Sequence, residues 1–204
     1  MDGLNIAIWL ANSAIVSTVY AGIALGIIHL SNHEYDIISQ PMSYYAVGTS
    51  SYLMATVILT FAASMMLLGF ALEQSIPGLS RKGIALLKVA GASLAIAAIF
   101  PSDVTDNWLP ETSTGFVHTI ASYLFSPCLV IATLLLSRQF NAPHFCHIPT
   151  FVLALASWLS LIVLTLVNLF NLQIGGIGQR IFVGLTWLWL MVTELRLQKT
   201  LRRL

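Results

Sequence analysis

The sequence predicts an all-α, polytopic transmembrane bundle of six helices. Three observations carry that prediction. Apolar residues make up 57% of the 204 residues and charged residues only 8%, with a mean hydropathy of +0.86. Six continuous apolar runs approach or exceed the ~20 residues that cross a bilayer core as a helix. Positive charge collects on one side of those runs. A soluble domain carries ~25% charged residues. The 9 basic and 8 acidic side chains present here cannot cover a water-facing surface, so soluble and disordered chains are excluded. A net charge of +1 leaves no basic stripe for nucleic acid.

The six runs cover about 4–30, 51–72, 83–100, 115–136, 148–171 and 181–195, within a single domain of residues 1–204. The first lacks a basic leader and runs past Gly26, so it reads as a true span rather than a signal peptide. An outer-membrane barrel would show ~10-residue alternating segments. Continuous runs fit helices, which satisfy their own backbone polar groups in lipid. Gly22 and Gly26 form a GxxxG that predicts close approach of a neighbouring backbone. Ala-rich stretches in the second and third runs have the same effect. Pro127 is predicted to kink the fourth helix. Trp187 and Trp189 face different sides of the last. No internal repeat is visible, and with it no inverted-repeat transporter pattern.

Charge sets the expected orientation. The segments 31–50 and 102–114 carry carboxylates and no Lys or Arg, whereas 73–82, 137–147 and the tail carry Arg81, Lys82, Arg138, Arg196, Lys199, Arg202 and Arg203. Placing both termini in the cytoplasm puts eight of nine basic residues there, with Lys88 snorkelling inward and Arg180 outside. The acidic loops then face outward.

Most residues able to do acid–base or metal chemistry collect at that outer face: Glu34, Asp36, Asp103, Asp106, Glu111, His29, His33, His118 and Arg180. Glu34, Asp106 and Glu111 read as loop solvation. Asp103, His118 and Arg180 lie at or just inside helix ends, where an ionisable group needs a cavity or a partner. Their meeting predicts either a pocket or a salt-bridged lock. His29 and His33 share one face if the first helix continues through Asn32. With Asp103 and His118 they would make a three-nitrogen, one-oxygen zinc set. Haem is disfavoured, because only His118 approaches the membrane core. Asn168 and Asn171 read as interhelical glue. Glu73, Glu194, His144 and His147 go with the basic anchors of the cytoplasmic side. Cys128 and Cys146 form no CxxC and read as free thiols.

Ser43 with Gly48, Phe-Pro-Ser-Asp at 100–103, Gly115-x-x-His118 and Gly178-Gln179-Arg180 resemble the widespread bacterial membrane family called domain-of-unknown-function family 998. The resemblance runs over about 41–195. It implies a small multi-helix bundle in the bacterial inner membrane with a polar cluster of Ser43, Asp103, His118 and Arg180. A looser likeness is to the ceramidase and adiponectin-receptor type of seven-helix hydrolase, with Ser, Asp and His around zinc. This chain departs from it in having six runs and no His-x-x-x-His in the last.

Two functions from different classes follow. One is a membrane-embedded enzyme, such as a hydrolase, acting on a lipid-like substrate with Asp103 and His118 as acid–base pair or metal ligands. There Arg180 holds an anionic headgroup and Ser43 positions it. The other is a non-catalytic binding or transport protein for an amphipathic ligand. A third reading makes the polar cluster only a lock for a structural membrane partner. Membrane lipids are the expected partners, and nucleic acid is not.

Overall fold

The computed structural model describes residues 3–105, 109–140, 147–170 and 172–203. Asp106, His144, Cys146 and Asn171 lie outside them, as does the side chain of His147. Six long helices follow one another: α1 (Gly3–Ser31), α2 (Ser51–Ser75), α3 (Arg81–Ile99), α4 (Ser113–Ser137), α5 (His147–Leu169) and α6 (Gly175–Leu201). A short 3₁₀ turn, Met42–Ala46, precedes α2. No strand occurs among the described residues.

Each helix packs on the next, and α6 returns to pack on α1. The helices therefore form a closed ring. Five of them (α1, α2, α3, α4 and the 148–169 stretch of α5) are long and apolar enough to cross a membrane. The α6 helix is not among them, because Gln179, Arg180, Glu194, Arg196 and Lys199 dilute its apolar run. Much of the outward surface is large and apolar, as with Leu30, 82% exposed, and Tyr52, 90% exposed. Outward faces of this kind suit lipid rather than water. The chain is thus a helical bundle of membrane-protein type.

Local chemistry sets the helix ends. The Ser80 and Thr112 hydroxyls accept from the N–H groups of Gly83 and Gly115 and cap α3 and α4. Asn32 ends α1: its Oδ1 accepts from Glu34 N and its Nδ2 donates to Ser50 Oγ at the start of α2. Glu34 accepts from Thr49 N, so a carboxylate stands at the positive end of α2.

Two expectations change. The last helix begins at Gly175, six residues before the apolar run, because its first turns are polar and glycine-rich. The GxxxG on α1 does not seat a neighbouring backbone. A Cβ at Gly22 would stand 2.9 Å from Cζ2 of Trp187, so the indole of α6 fills that notch. A Cβ at Gly26 would meet nothing within 4 Å.

Candidate functional site

The space beside Gly26 is a half-open cavity of about 750 Å³ between the helices, with the exposed Val19 and Ile23 among its lining. Its walls are apolar over most of their length, with Ile58, Phe61, Phe125, Phe182 and Trp187 among them. Its ionisable groups, His29, His118 and Arg180, come from helix ends, with Ser43 and Gln179 beside them and Ser122 and Ser126 further along α4. A second, more polar cavity of about 400 Å³ adjoins the first and is lined by Asp103, Ser102, Asn168 and Thr165. Ser43, His118, Ser122, Ser126 and Gln179 line both, so the two share a wall.

Arg180 sits in the second turn of α6, half-buried. Its Nε donates to His29 Nε2 at 3.0 Å, and Nη1 faces the carbonyls of Ile37, Gln40 and Gly176, each at 2.9 Å. Nη2 has only the Tyr45 hydroxyl, at 3.5 Å. The guanidinium also lies 5.9 Å from the Tyr45 ring centroid. Every one of these partners is neutral. Among the described residues no carboxylate stands within ion-pairing distance of it. A guanidinium has five N–H donors in a fixed fork, and the Nη2 pair is largely unspent.

His29 is fixed by its neighbours. Its Nδ1 bonds the Leu25 carbonyl at 2.9 Å and must donate, which leaves Nε2 to accept from Arg180. Both ring nitrogens are thereby used. His33 is exposed and lies beyond the end of α1 at Ser31, so the two imidazoles do not share a helical face. Among the described residues no group of three or more His, Cys, Asp or Glu could hold a metal ion. The set His29, His33, Asp103 and His118 does not fit zinc in this arrangement.

His118 is buried, one turn into α4. Its Nδ1 stands 2.9 Å from the carbonyl oxygens of both Ala97 and Phe100 at the end of α3. Two carbonyls can only accept, so Nδ1 carries the proton. In the neutral ring Nε2 is then the lone-pair nitrogen. Asp103 is turned to a different task. It accepts from Glu111 N, Thr112 N and the Thr112 hydroxyl, each at 2.7 Å, and so ties the 109–112 segment to the head of α4. The Thr112 hydroxyl, with the backbone N–H groups of Thr112 and Glu111, holds the Asp103 carboxyl below its ordinary value. A Cβ on Gly115 would fall 2.1 Å from Asp103 Oδ2, so only glycine lets the carboxylate sit there.

The Phe-Pro-Ser-Asp and Gly-x-x-His elements are therefore one joint between α3 and α4. The family model described as "Protein of unknown function (DUF998)" matches residues 15–195, from the middle of α1 into the last turns of α6. The chain belongs to this family. No curated protein and no solved structure matches it.

Of the four residues singled out in this DUF998 member, Ser43, His118 and Arg180 line the large cavity, whereas Asp103 lines only the smaller one. Asp103 and Arg180 form no salt bridge: Asp103 spends its bonds on backbone N–H groups and a hydroxyl, Arg180 on the His29 imidazole, carbonyls and the Tyr45 hydroxyl. Sequence reasoning missed Gln179 as a wall of both cavities and as the acceptor for Met42 N at 2.7 Å. It also missed Tyr45, which carries no signal beyond being an aromatic residue in a loop.

Proposed function

We propose that this protein binds a single-chain amphiphile with an oxyanion headgroup. The chain lies in the large cavity and the headgroup meets Arg180. The observation that carries this reading is a half-buried guanidinium whose hydrogen-bond partners are all neutral, on which the Asp36 carboxylate acts only from beyond ion-pairing distance; its Nη2 has one long bond, and it lines a mostly apolar cavity. A half-buried cation without a direct ion pair gains when an anion joins it. A fork of N–H donors matches carboxylate or phosphate geometry. The volume lies within the ~300–1,000 Å³ usual for small-molecule sites. On the charge rule the Arg180 end faces away from the cytoplasm, which gives the ligand access from the outer leaflet.

The test pairs a fluorescent fatty acid with its methyl ester, titrated into purified protein in uncharged detergent. A hydrogen bond to a charged group contributes about 1.5–3 kcal/mol, so the acid should bind roughly ten- to a hundredfold tighter than the ester. Arg180→Gln should erase that preference, and Arg180→Lys should keep part of it. Equal affinity of wild type for acid and ester contradicts the reading.

A second reading, hydrolysis of such a ligand, is favoured by His118. Its tautomer presents a lone-pair nitrogen, and the ring stands on the wall between the apolar cavity and a more polar one. Ester cleavage by wild type that disappears in a folded His118→Ala variant would support it. Unchanged cleavage in that variant removes His118 from any chemistry.

A further inference from the structure

One polar cluster lies apart from both cavities. Glu194 of α6, which the charge pattern groups with the cytoplasmic anchors, is fully buried. Its Oε1 meets Thr18 Oγ1 of α1 at 2.9 Å and Ser64 Oγ of α2 at 2.6 Å. The two hydroxyls are themselves 2.6 Å apart. Oε2 is buried without a hydrogen-bond partner.

Counting hydrogens decides the state of this cluster. Three oxygens in mutual contact make three O···O pairs, and each needs a proton. Thr18 and Ser64 supply one each. An ionised Glu194 leaves the third pair as two bare lone pairs at contact distance. A protonated carboxyl supplies the missing hydrogen and lets the ring close in one direction. The bare Oε2 agrees. As the carbonyl oxygen of an acid it is a neutral, unfilled acceptor, whereas as half of a carboxylate it would carry charge into a dry interior.

No counter-ion offers an alternative among the described residues. From α1, Tyr20 is bonded to Thr56, and His29 to Leu25 and Arg180. From α2, Glu73 pairs with Lys88 of α3 at 3.0 Å. The one ionisable residue of α5, His147, opens that helix. On α6 itself, Arg196 and Lys199 make no bond to Glu194.

We propose that Glu194, Thr18 and Ser64 form a proton-binding site at the seam of α1, α2 and α6, and that this structure shows it with the proton bound. The seam abuts the large cavity. Trp187, on the cavity wall, donates its indole N–H to the Thr18 carbonyl at 2.9 Å. Releasing the proton leaves a charge facing two hydroxyls and no cation, so the three helices must part or admit water. Proton occupancy therefore controls how firmly that side of the cavity is closed.

The test is infrared difference spectroscopy of the purified full chain with a thermal melt across pH. Wild type should show a carboxylic-acid C=O stretch at neutral pH that is absent from Glu194→Gln. The wild-type melting temperature should fall as pH rises above the ordinary carboxyl range, and that of Glu194→Gln should lack this fall. Thr18→Val, which changes no charge, should move the acid band by removing one hydrogen bond. No acid band at neutral pH, a band that Glu194→Gln retains, or identical melting profiles of the two proteins as pH rises above the ordinary carboxyl range would overturn the proposal. So would a sodium-dependent rise in wild-type melting temperature without an acid band, since the oxygens would then hold a metal cation.

Discussion

Filling the large cavity from α1 separates ligand binding from folding. Gly26 lines the cavity, and a Cβ there meets no atom within 4 Å. Gly26→Leu therefore puts about four carbons into space a ligand would use. Each methylene displaced removes about 0.8 kcal/mol of burial, so the loss is ~3 kcal/mol, or roughly a hundredfold in affinity. The same substitution replaces glycine within a helix, which favours the folded state by about 0.5–1 kcal/mol. Affinity and stability should thus move in opposite directions. The assay is a fatty-acid titration followed by a melt on the same sample. Gly22→Ala is the contrasting variant: its Cβ would press on the Trp187 ring at 2.9 Å, so the melting temperature should fall. A Gly26→Leu protein that melts like wild type and binds like wild type would refute the assignment of the cavity as the ligand site.

Other consequences follow from single contacts. Gly115→Ala should lower the melting temperature, because its Cβ collides with Asp103 Oδ2; in an Asp103→Gly background the same change should cost far less, a coupling that a double-mutant cycle reads directly. Asp103 titrates below its ordinary value of 3.8, so its stabilisation is present above that value and lost as pH falls through the lowered one. Asp103→Asn should flatten this acid limb of the melting curve. Trp187→Phe removes the bond to the Thr18 carbonyl and should cost about 1 kcal/mol in a denaturation titration.

The helices were legible because lipid-facing stretches must be apolar for some twenty residues, and α1 to α5 keep that pattern. The start of α6 was not, since Gly175 to Arg180 is polar and helical at once. The order of helices around the ring, and the space inside it, leave no periodic trace. Ser43, His118 and Arg180 could be found because ionisable and hydroxyl groups are few in so apolar a chain. Asp103 shares the smaller cavity with Ser43 and His118 but does not meet Arg180, for a local reason. The carboxylate is within reach of the N–H groups of Glu111 and Thr112, which satisfy it better than a distant guanidinium. His29 and His33 parted because Asn32 ends the helix between them. Charge counting grouped Glu194 with the cytoplasmic residues and carried no sign that it is sealed among hydroxyls.

On the proposed function, Arg180 holds the headgroup of an acidic, single-chain lipid in the large cavity. Native mass spectrometry of protein purified in uncharged detergent, with lipid extraction from the same sample, tests it most directly. Wild type should carry about one acidic amphiphile per chain, and Arg180→Gln and Gly26→Leu should each lose it while remaining folded. A wild-type protein that carries only neutral lipid, or an acidic lipid that both variants retain undiminished, would contradict the account.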